Sequence, residues 1–501
     1  MFQNLLEALL VFGKIEIVLM LIGGVLTGAI FSAVPGLTST LALALILPFT
    51  YEMNAIPAFV FMMGLFGGGM YGGALTAITL NIPGAPGSVA TTFDGHPMFK
   101  NGEGGKAIGI ATFCSIIGGM GSSIILIIAS GQLAKIALRF GPPEMFALTV
   151  FGLIAVITVG DDLIKGSLAG LLGLILGATG IDIFGNLRLN FGIRELIGGT
   201  PLLPTVIGLF AIVKIIHSIN DVKITPDNNT LSTISSSKKM KMKFPTIQEI
   251  KKLIPLFIRN LFLGTFIGFL PGAGGNIASF TGYNLEKRLS KHPEKFGTGI
   301  IEGIAAPEVA NNSVIGGDLI PTLTLGIPGS QFTAVLLGAF LIHGLPVGPL
   351  LFRDNQEIIY VVFISVFLLN LVFIPIGYFG TNPLIKMANL RNSIIIPIIS
   401  AFSFAGVYAI SATTANLWIS IIIGVIAFFL LRNRIPLAPV VLGLILSNII
   451  EDSLVQSLIM SNGSLRIFIT RPISMVLFGI TAIFIALPLF RNKIRIIKKS
   501  K

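Results

Sequence analysis

The chain has 501 residues, 53% of them hydrophobic and only 11% charged, with a formal net charge of +12 and a mean hydropathy of +0.91. Ordinary soluble domains carry about 25% charged residues, so a soluble fold is excluded, and apolar runs able to cross ~30 Å of hydrocarbon recur throughout. The lysines and arginines sit in loops and in the tail, where the positive-inside rule accounts for them without nucleic acid.

The N-terminal stretch, MFQNLLEALLVFGKIEIV, has an early Glu7 and no basic leader or small-residue cleavage site. It reads as retained, a short amphipathic helix at the membrane surface. A first span covers Ile15–Val34 and stops at Pro35-Gly36. The apolar run Leu37–Phe49 is too short to cross and reads as re-entrant. A Gly-rich span, Ala55–Leu80, is interrupted by Asn81-Ile-Pro-Gly, and the polar patch Thr91–Gly105 reads as a loop. Spans follow at Ala107–Ile127, Met145–Val159, Leu163–Ala178 and Pro204–Ile216. The lone Cys114 permits no internal disulfide and reads as a packing residue.

Residues 217–252, rich in Ser, Thr, Asn and Lys, read as a cytoplasmic linker between two halves, 1–216 and 253–490. The basic tail 491–501 places the C-terminus in the cytoplasm as well. The second half opens with Leu253–Leu270, ending at Pro271-Gly272, then a basic loop at Glu286–Lys295. Later spans fall near Val335–Leu345, Ile358–Phe379, Ile394–Ile410, Leu417–Leu431, Pro436–Ile450 and Ile473–Leu489. The expectation is an all-α polytopic membrane protein with roughly 10–13 crossings of ~20 residues each.

One stretch is unusual for such a chain. Between Gly299 and Ser330 lie Glu302, Glu308, Asn311, Asn312 and Asp318, with Pro307, Pro321 and Pro328 as breaks. Ionisable groups at membrane depth are costly and mark pathways. The competing reading is a cytoplasmic loop followed by a kinked span. With Glu451, the four carboxylates Glu302, Glu308, Glu451 and Asp318, and the amides Asn311 and Asn312, are the candidates for handling a coupling proton or cation.

The halves repeat each other. GAIFSAVPG (28–36) matches GTFIGFLPG (264–272), and YGGALTAITLNIPG (71–84) matches GGDLIPTLTLGIPG (316–329). Gly/Pro-interrupted segments at corresponding positions of two halves, in inverted topology, point to a transporter's binding site near the midplane. A broken helix offers unpaired N–H groups to an anion on one side and carbonyls to a cation on the other. Candidate substrate-binding residues are Pro35, Gly36, Thr38, Ser39, Thr40, Asn81, Gly84 and Ser88 in the first half. In the second they are Gly272, Gly274, Gly275, Asn276, Gly326, Gly329 and Ser330. Each hydroxyl or amide taken alone reads as a helix cap. No intramembrane Arg or Lys is evident, since Arg139, Arg188, Arg194, Arg259 and Arg391 sit near predicted span ends.

At these residues the chain resembles the large, TctA-type permease subunit of the tripartite tricarboxylate transporters. AVPGLTSTLALALILPFT (33–50), YGGALTAITLNIPGAPGSVATTFDGHPM (71–98), the long block 270–352 and the block 435–474 carry the likeness. Ser447, the shortened 182–190 and the local linker 228–243 depart from it. The resemblance implies a bacterial inner-membrane permease working with a small membrane subunit and a periplasmic solute-binding protein. Its substrate would be an organic anion, often a di- or tricarboxylate, moved by a proton or sodium gradient with no cofactor. A single-component carboxylate symporter stays open on the residues alone. The four histidines are scattered, without His-Glu-x-x-His, and no phosphate-binding Gly-x-x-x-x-Gly-Lys motif occurs, which argues against an enzyme or an ATPase.

Overall fold

The computed structural model describes residues 2–159, 162–221, 241–388, 390, 392–411 and 413–499. Helices α1 (Phe2–Val11), α2 (Ile15–Ala33), α3 (Ser39–Thr50), α4 (Ala55–Leu80), α5 (Val89–Met98) and α6 (Gly104–Ala137) come first. Then come α7 (Pro142–Val159), α8 (Leu163–Gly177), a two-residue hairpin β1 (Gly180–Ile181) and β2 (Leu187–Arg188), α9 (Leu202–Ile207) and α10 (Val213–Asp221). The second half runs through α11 (Ile247–Phe269), α12 (Gly274–Leu289), α13 (Glu302–Leu325), α14 (Gln331–Ile342), α15 (Pro349–Asp354) and α16 (Gln356–Pro375). It closes with α17 (Thr381–Ala388), α18 (Asn392–Ser411), α19 (Thr414–Arg432), α20 (Ala438–Met460), α21 (Ile467–Thr470) and α22 (Pro472–Lys499). Among the described residues, eight helical stretches are long and apolar enough to cross a membrane, and there are shorter apolar helices of 10–17 residues, α3 and α14 among them.

The repeat is structural. In the first half α2 and α4 run parallel: a Cβ on Gly28 would meet the Leu65 carbonyl, and one on Gly72 the Ala29 backbone. In the second half α11 and α13 run parallel with the corresponding contacts, Gly264 on the Ala310 carbonyl and Gly317 on the Thr265 backbone. Glycine lets the backbones touch where lipid offers no hydrophobic drive to association. Both first breaks bend at a left-handed glycine, Gly36 with φ 78° and Gly272 with φ 80°.

The halves are inverted. Helix α4 runs parallel to α16, since Gly67 meets Leu369 and Tyr71 stacks on Phe373. Helix α16 runs antiparallel to α6, with Gly119 on Asn370 and Thr112 on Gly377 just beyond it. Helix α6 is parallel to α13, where Ser115 bonds Glu308 and Gly316 meets Ser122. So α4 and α13 point in opposite directions. The ends of α6 and α11 that carry Lys106, Lys251 and Lys252 lie together, joined by the Lys106–Glu249 ion pair at 2.6 Å. The break after α2 lies toward this same lysine-rich end, because α2 opposes α11.

Two expectations change. The patch 91–105 is not a loop: α5 fills it and passes through a π-helical turn, Phe99–Glu103, into α6. Its carboxylate Asp94 is fully buried because another segment satisfies it. The N–H groups of Gly297, Gly299 and Ile300 donate to it, as does the Tyr283 hydroxyl. Nor do Pro307 and Pro321 break the polar stretch, since α13 is continuous through both. A helical proline clashes with the carbonyl four residues back, and here those residues are Gly303 and Gly317, packed tightly against Asp94 and Thr265. Only Pro328 lies at a break.

The polar segment 217–252 is divided. His217 belongs to α10, Lys251 and Lys252 to α11, and Thr246 with Glu249 makes a capping box at the start of α11. Its centre, 222–240, lies outside the described residues, as does the end of the tail at 500–501.

Candidate functional site

The four breaks touch one another in sequence. Gly84, in the second break, packs against the Ser32 carbonyl at the end of α2, beside the first. Gly87 of the second break and Gly275 of the third lie on either side of Asn311 Oδ1. The Gly272 N–H of the third break donates to the Gly329 carbonyl of the fourth at 2.7 Å. Gly36 and Thr38 of the first share a cavity of about 360 Å³ with Gln331, at the start of α14 beyond the fourth.

Each long break doubles back. After α4, Asn81 adopts the left-handed conformation (φ 57°) and Gly84 returns to the level of Gly73. After α13, Gly326 does the same (φ 72°) and Gly329 returns to Asp318 and the Gly268 carbonyl.

The candidate substrate residues fare differently. Pro35 and Gly36 are exposed, and Gly36 lines the cavity. The Thr38 hydroxyl caps α3 by accepting from the Leu41 N–H, Ser39 packs on Gly69, and Thr40 is buried. Asn81 is exposed, and Ser88 is buried with its hydroxyl unpaired among the described residues. Gly274 has a positive φ at the start of α12, while Asn276 is exposed on that helix, away from Asn311. Ser330 caps α14 in a reciprocal pair with Thr333.

The ion candidates separate into one buried group and outliers. Glu308 is fully buried and accepts from Thr91 Oγ1 at 2.5 Å and Ser115 Oγ at 3.0 Å. Asn312 Nδ2 donates to Ser115 Oγ at 2.9 Å and to the Glu308 carbonyl at 3.0 Å. The Oδ1 atoms of Asn311 and Asn312 are buried with no donor among the described residues. Asp318 is also fully buried; Thr333 donates to its Oδ1 at 2.8 Å, and its Oδ2 has no partner among the described residues. Unpaired buried acceptors are rare and ask for an explanation; a cluster rich in them suits a cation or a proton. Glu302 stands apart in the first turn of α13, half-buried, where the helix dipole favours a carboxylate. Glu451 pairs with Arg188 of the β-hairpin at 2.7 Å.

Thr91 and Ser115 complete the Glu308 cluster, yet as lone hydroxyls in apolar helices they carry no sequence signal above back-bonding. The expected lack of intramembrane cations fails twice. Arg259 lies mid-way along α11, fixed by both Glu286 oxygens; Glu286 belongs to α12 rather than to a loop. Lys214 lies in the candidate span Leu202–Ile219, and a Cβ on Gly36 would stand 2.5 Å from its Nζ. Arg391 lies outside the described residues.

The profile of the Tripartite tricarboxylate transporter TctA family matches residues 18–442. The chain belongs to this family. It is 33% identical over 475 residues, 94% of this chain and 93% of the relative, to an uncharacterized 52.8 kDa protein in the TAR-I ttuC′ 3′ region of Agrobacterium vitis. It is 34% identical over 233 residues to an uncharacterized protein in the TAR-II ttuC′ 3′ region of the same organism, covering 46% of this chain and 96% of that one. No solved structure matches. The TctA match spans the α2–α4 and α11–α13 repeats, all four breaks and the Glu308 cluster.

Proposed function

We propose that this chain is the large transmembrane subunit of a binding-protein-dependent secondary transporter that imports a di- or tricarboxylate or related organic anion across the bacterial inner membrane. It would work with a small membrane subunit and a periplasmic solute-binding protein, with both the 217–252 segment and the C-terminus in the cytoplasm. The observation that carries the reading is the inverted pair of parallel-helix units whose breaks meet around Asn311. Such inverted units, rocking about a site of broken helices, are a basis of alternating access. Family membership supports the carboxylate class and the tripartite assembly.

The coupling ion would be a proton or sodium held at Glu308, with Thr91, Ser115 and Asn312 orienting the carboxyl. The anion would be held by backbone N–H groups at the breaks. The test is counterflow in proteoliposomes with the small subunit and binding protein supplied, against a panel of carboxylates, under imposed proton or sodium gradients. Uptake of one carboxylate class driven by one of the gradients is expected. Net uptake that ignores both gradients, or no flux of any organic anion in uptake or counterflow, would overturn the reading.

A further inference from the structure

Between the first and fourth breaks lies the cavity lined by Gly36, Thr38, Lys214, His217 and Gln331. Lys214 is the one Lys, Arg, Asp or Glu in the span Leu202–Ile219. An ionisable group within a span is costly and tends to face a water-filled cavity or pathway. Gly36 has a positive φ, and a side chain there would run into Lys214 Nζ, so the ammonium lies against the bared backbone of the first break. Helix α3 starts two residues beyond Thr38's neighbour Leu37, and the Thr38 hydroxyl is already engaged with the Leu41 N–H. Thr38 and Leu41 line the cavity, so the positive end of the α3 dipole lies at its wall. Gln331, exposed at the first position of α14, adds an amide donor from the other half of the repeat.

We infer that this cavity is a binding station for a carboxylate of the transported anion, with Lys214 as its counter-charge, at the lysine-rich mouth of the pathway. The inference rests on the transport reading above and adds a side-chain cation to it. A compact ammonium beside the N-terminal end of a helix recognises an anionic oxygen without demanding the planar fork geometry that arginine supplies. The volume falls within the range of small-molecule sites. Lys214 draws on one half and Gln331 on the other, so the station is complete only while the first and fourth breaks stay together. It would hold the anion in the state of the molecule seen here and release it when they part.

The test uses the full chain with Cys114→Ala, which removes the lone cysteine, and Phe210→Cys as a reporter on the cavity wall. The probes are a sulfonate-bearing and a trimethylammonium-bearing thiosulfonate reagent of similar size. With Lys214 present the sulfonate reagent should react faster than its size-matched cation, and citrate or malate should slow it. Lys214→Gln should lower the anion-to-cation rate ratio by about tenfold or more, which corresponds to ~1.4 kcal/mol, while Lys214→Arg keeps most of it. In the reconstituted transporter Lys214→Gln should raise KM for the carboxylate far more than it lowers kcat. No anion preference with Lys214 in place, or the same preference after Lys214→Gln, would overturn the inference. Should Lys214→Gln fail to insert, the ratio in the Lys214 and Arg chains decides. The rate ratio does not depend on transport, so a chain that moves no carboxylate would sink the transport reading while the cavity's charge selectivity is still measured.

Discussion

At the second break Asn81 and Ile82 are exposed, whereas at the fourth their counterparts Gly326 and Ile327 are buried. The backbone course is the same in both: a left-handed residue, a return of several residues, and a glycine pressed on a carbonyl. The side chains are not. Gly73 in the first half stands where the second half has Asp318, and Ser88 where it has Thr333. Met63, buried and apolar, stands where the second half has Glu308, and Gly67 where it has Asn312. Within the repeated units the scaffold is therefore double, and the fully buried acids Glu308 and Asp318 lie in one copy. The first half reaches the Glu308 carboxyl through Thr91 and Ser115, which lie outside the repeated α2–α4 unit, while α4 itself meets Asn311 through the Met70 carbonyl.

The largest effect should come from the glycines that the two halves share. Gly84→Val and Gly329→Val should each abolish uptake, since a Cβ at Gly84 would strike the Ser32 carbonyl and one at Gly329 the Asp318 carboxyl. The milder Gly84→Ala should be the worse of the two alanine variants. It meets fixed backbone, at the upper end of the ~1–3 kcal/mol that overpacking costs, while Asp318 has some freedom to turn. Thermal unfolding of the purified proteins orders them; equal losses would mean that the breaks do not differ in rigidity.

Next comes the Glu308 carboxyl. Glu308→Gln should reduce gradient-driven uptake by at least about tenfold while leaving solute counterflow in place, a factor worth ~1.4 kcal/mol. Met63→Gln, its counterpart in the first half, should cost stability without touching coupling. Uptake assays under gradient and counterflow conditions separate the two, and coupled uptake unchanged in Glu308→Gln would return that carboxyl to a structural role.

A smaller contrast lies in the hydroxyls. Thr333→Val removes the donor to Asp318 Oδ1 and should cost about 1–3 kcal/mol, the penalty for an unsatisfied buried group. Ser88→Ala removes a hydroxyl that finds no partner among the described residues and should be neutral or mildly stabilising. Matching melting temperatures for the two would break the comparison.

The smallest effects belong to the hairpin β1–β2. Arg188→Ala should cost no more than about 1 kcal/mol, as partly exposed ion pairs do, and should leave uptake unchanged. Asp182 accepts from the Asn186 N–H, which holds its carboxyl below the usual aspartate range. A depressed folded value means that its contribution is present at neutral pH and fades as the pH falls through that value. The exchange protection of the Phe184 and Asn186 amides, measured relative to their intrinsic rates, should fall in acid, and in Asp182→Asn at neutral pH.

Much of this was legible in the sequence. Ala55–Leu80 is a helix to the residue because hydrophobicity and the Asn81 stop coincide. The repeat could be read because close helix contact demands glycine at fixed places, and Gly28, Gly72, Gly264 and Gly317 are those places. What escaped was long-range satisfaction. Asp94 made its segment look like a loop, since the N–H groups that satisfy it come from residues 297–300. Pro307 and Pro321 looked like stops, since nothing local shows that neighbouring helices will hold the chain straight. Thr91 and Ser115 were invisible until α5 and α6 brought them to one carboxylate.

The strand of chain that re-enters the described region at Lys241 has a mechanical consequence. Its Lys241 and Lys243 carbonyls lie on Gly105 and Gly109 of α6, the Lys243 N–H donates to the Gly105 carbonyl, and Met242 is sunk beside Thr112 and Gly377. That is a seam rather than a tether. It stitches α6, which by order of synthesis belongs to the first half, to α11 of the second, where Lys106 and Glu249 add a rivet. If the two units rock as proposed, α6 would ride with α11 and α13, and the sliding surface would fall between α4 and α6, where Tyr71 meets Thr112. The Glu308 carboxyl and its Ser115 donor would then stay in register through the stroke, so that a bound ion is carried rather than handed across the gap.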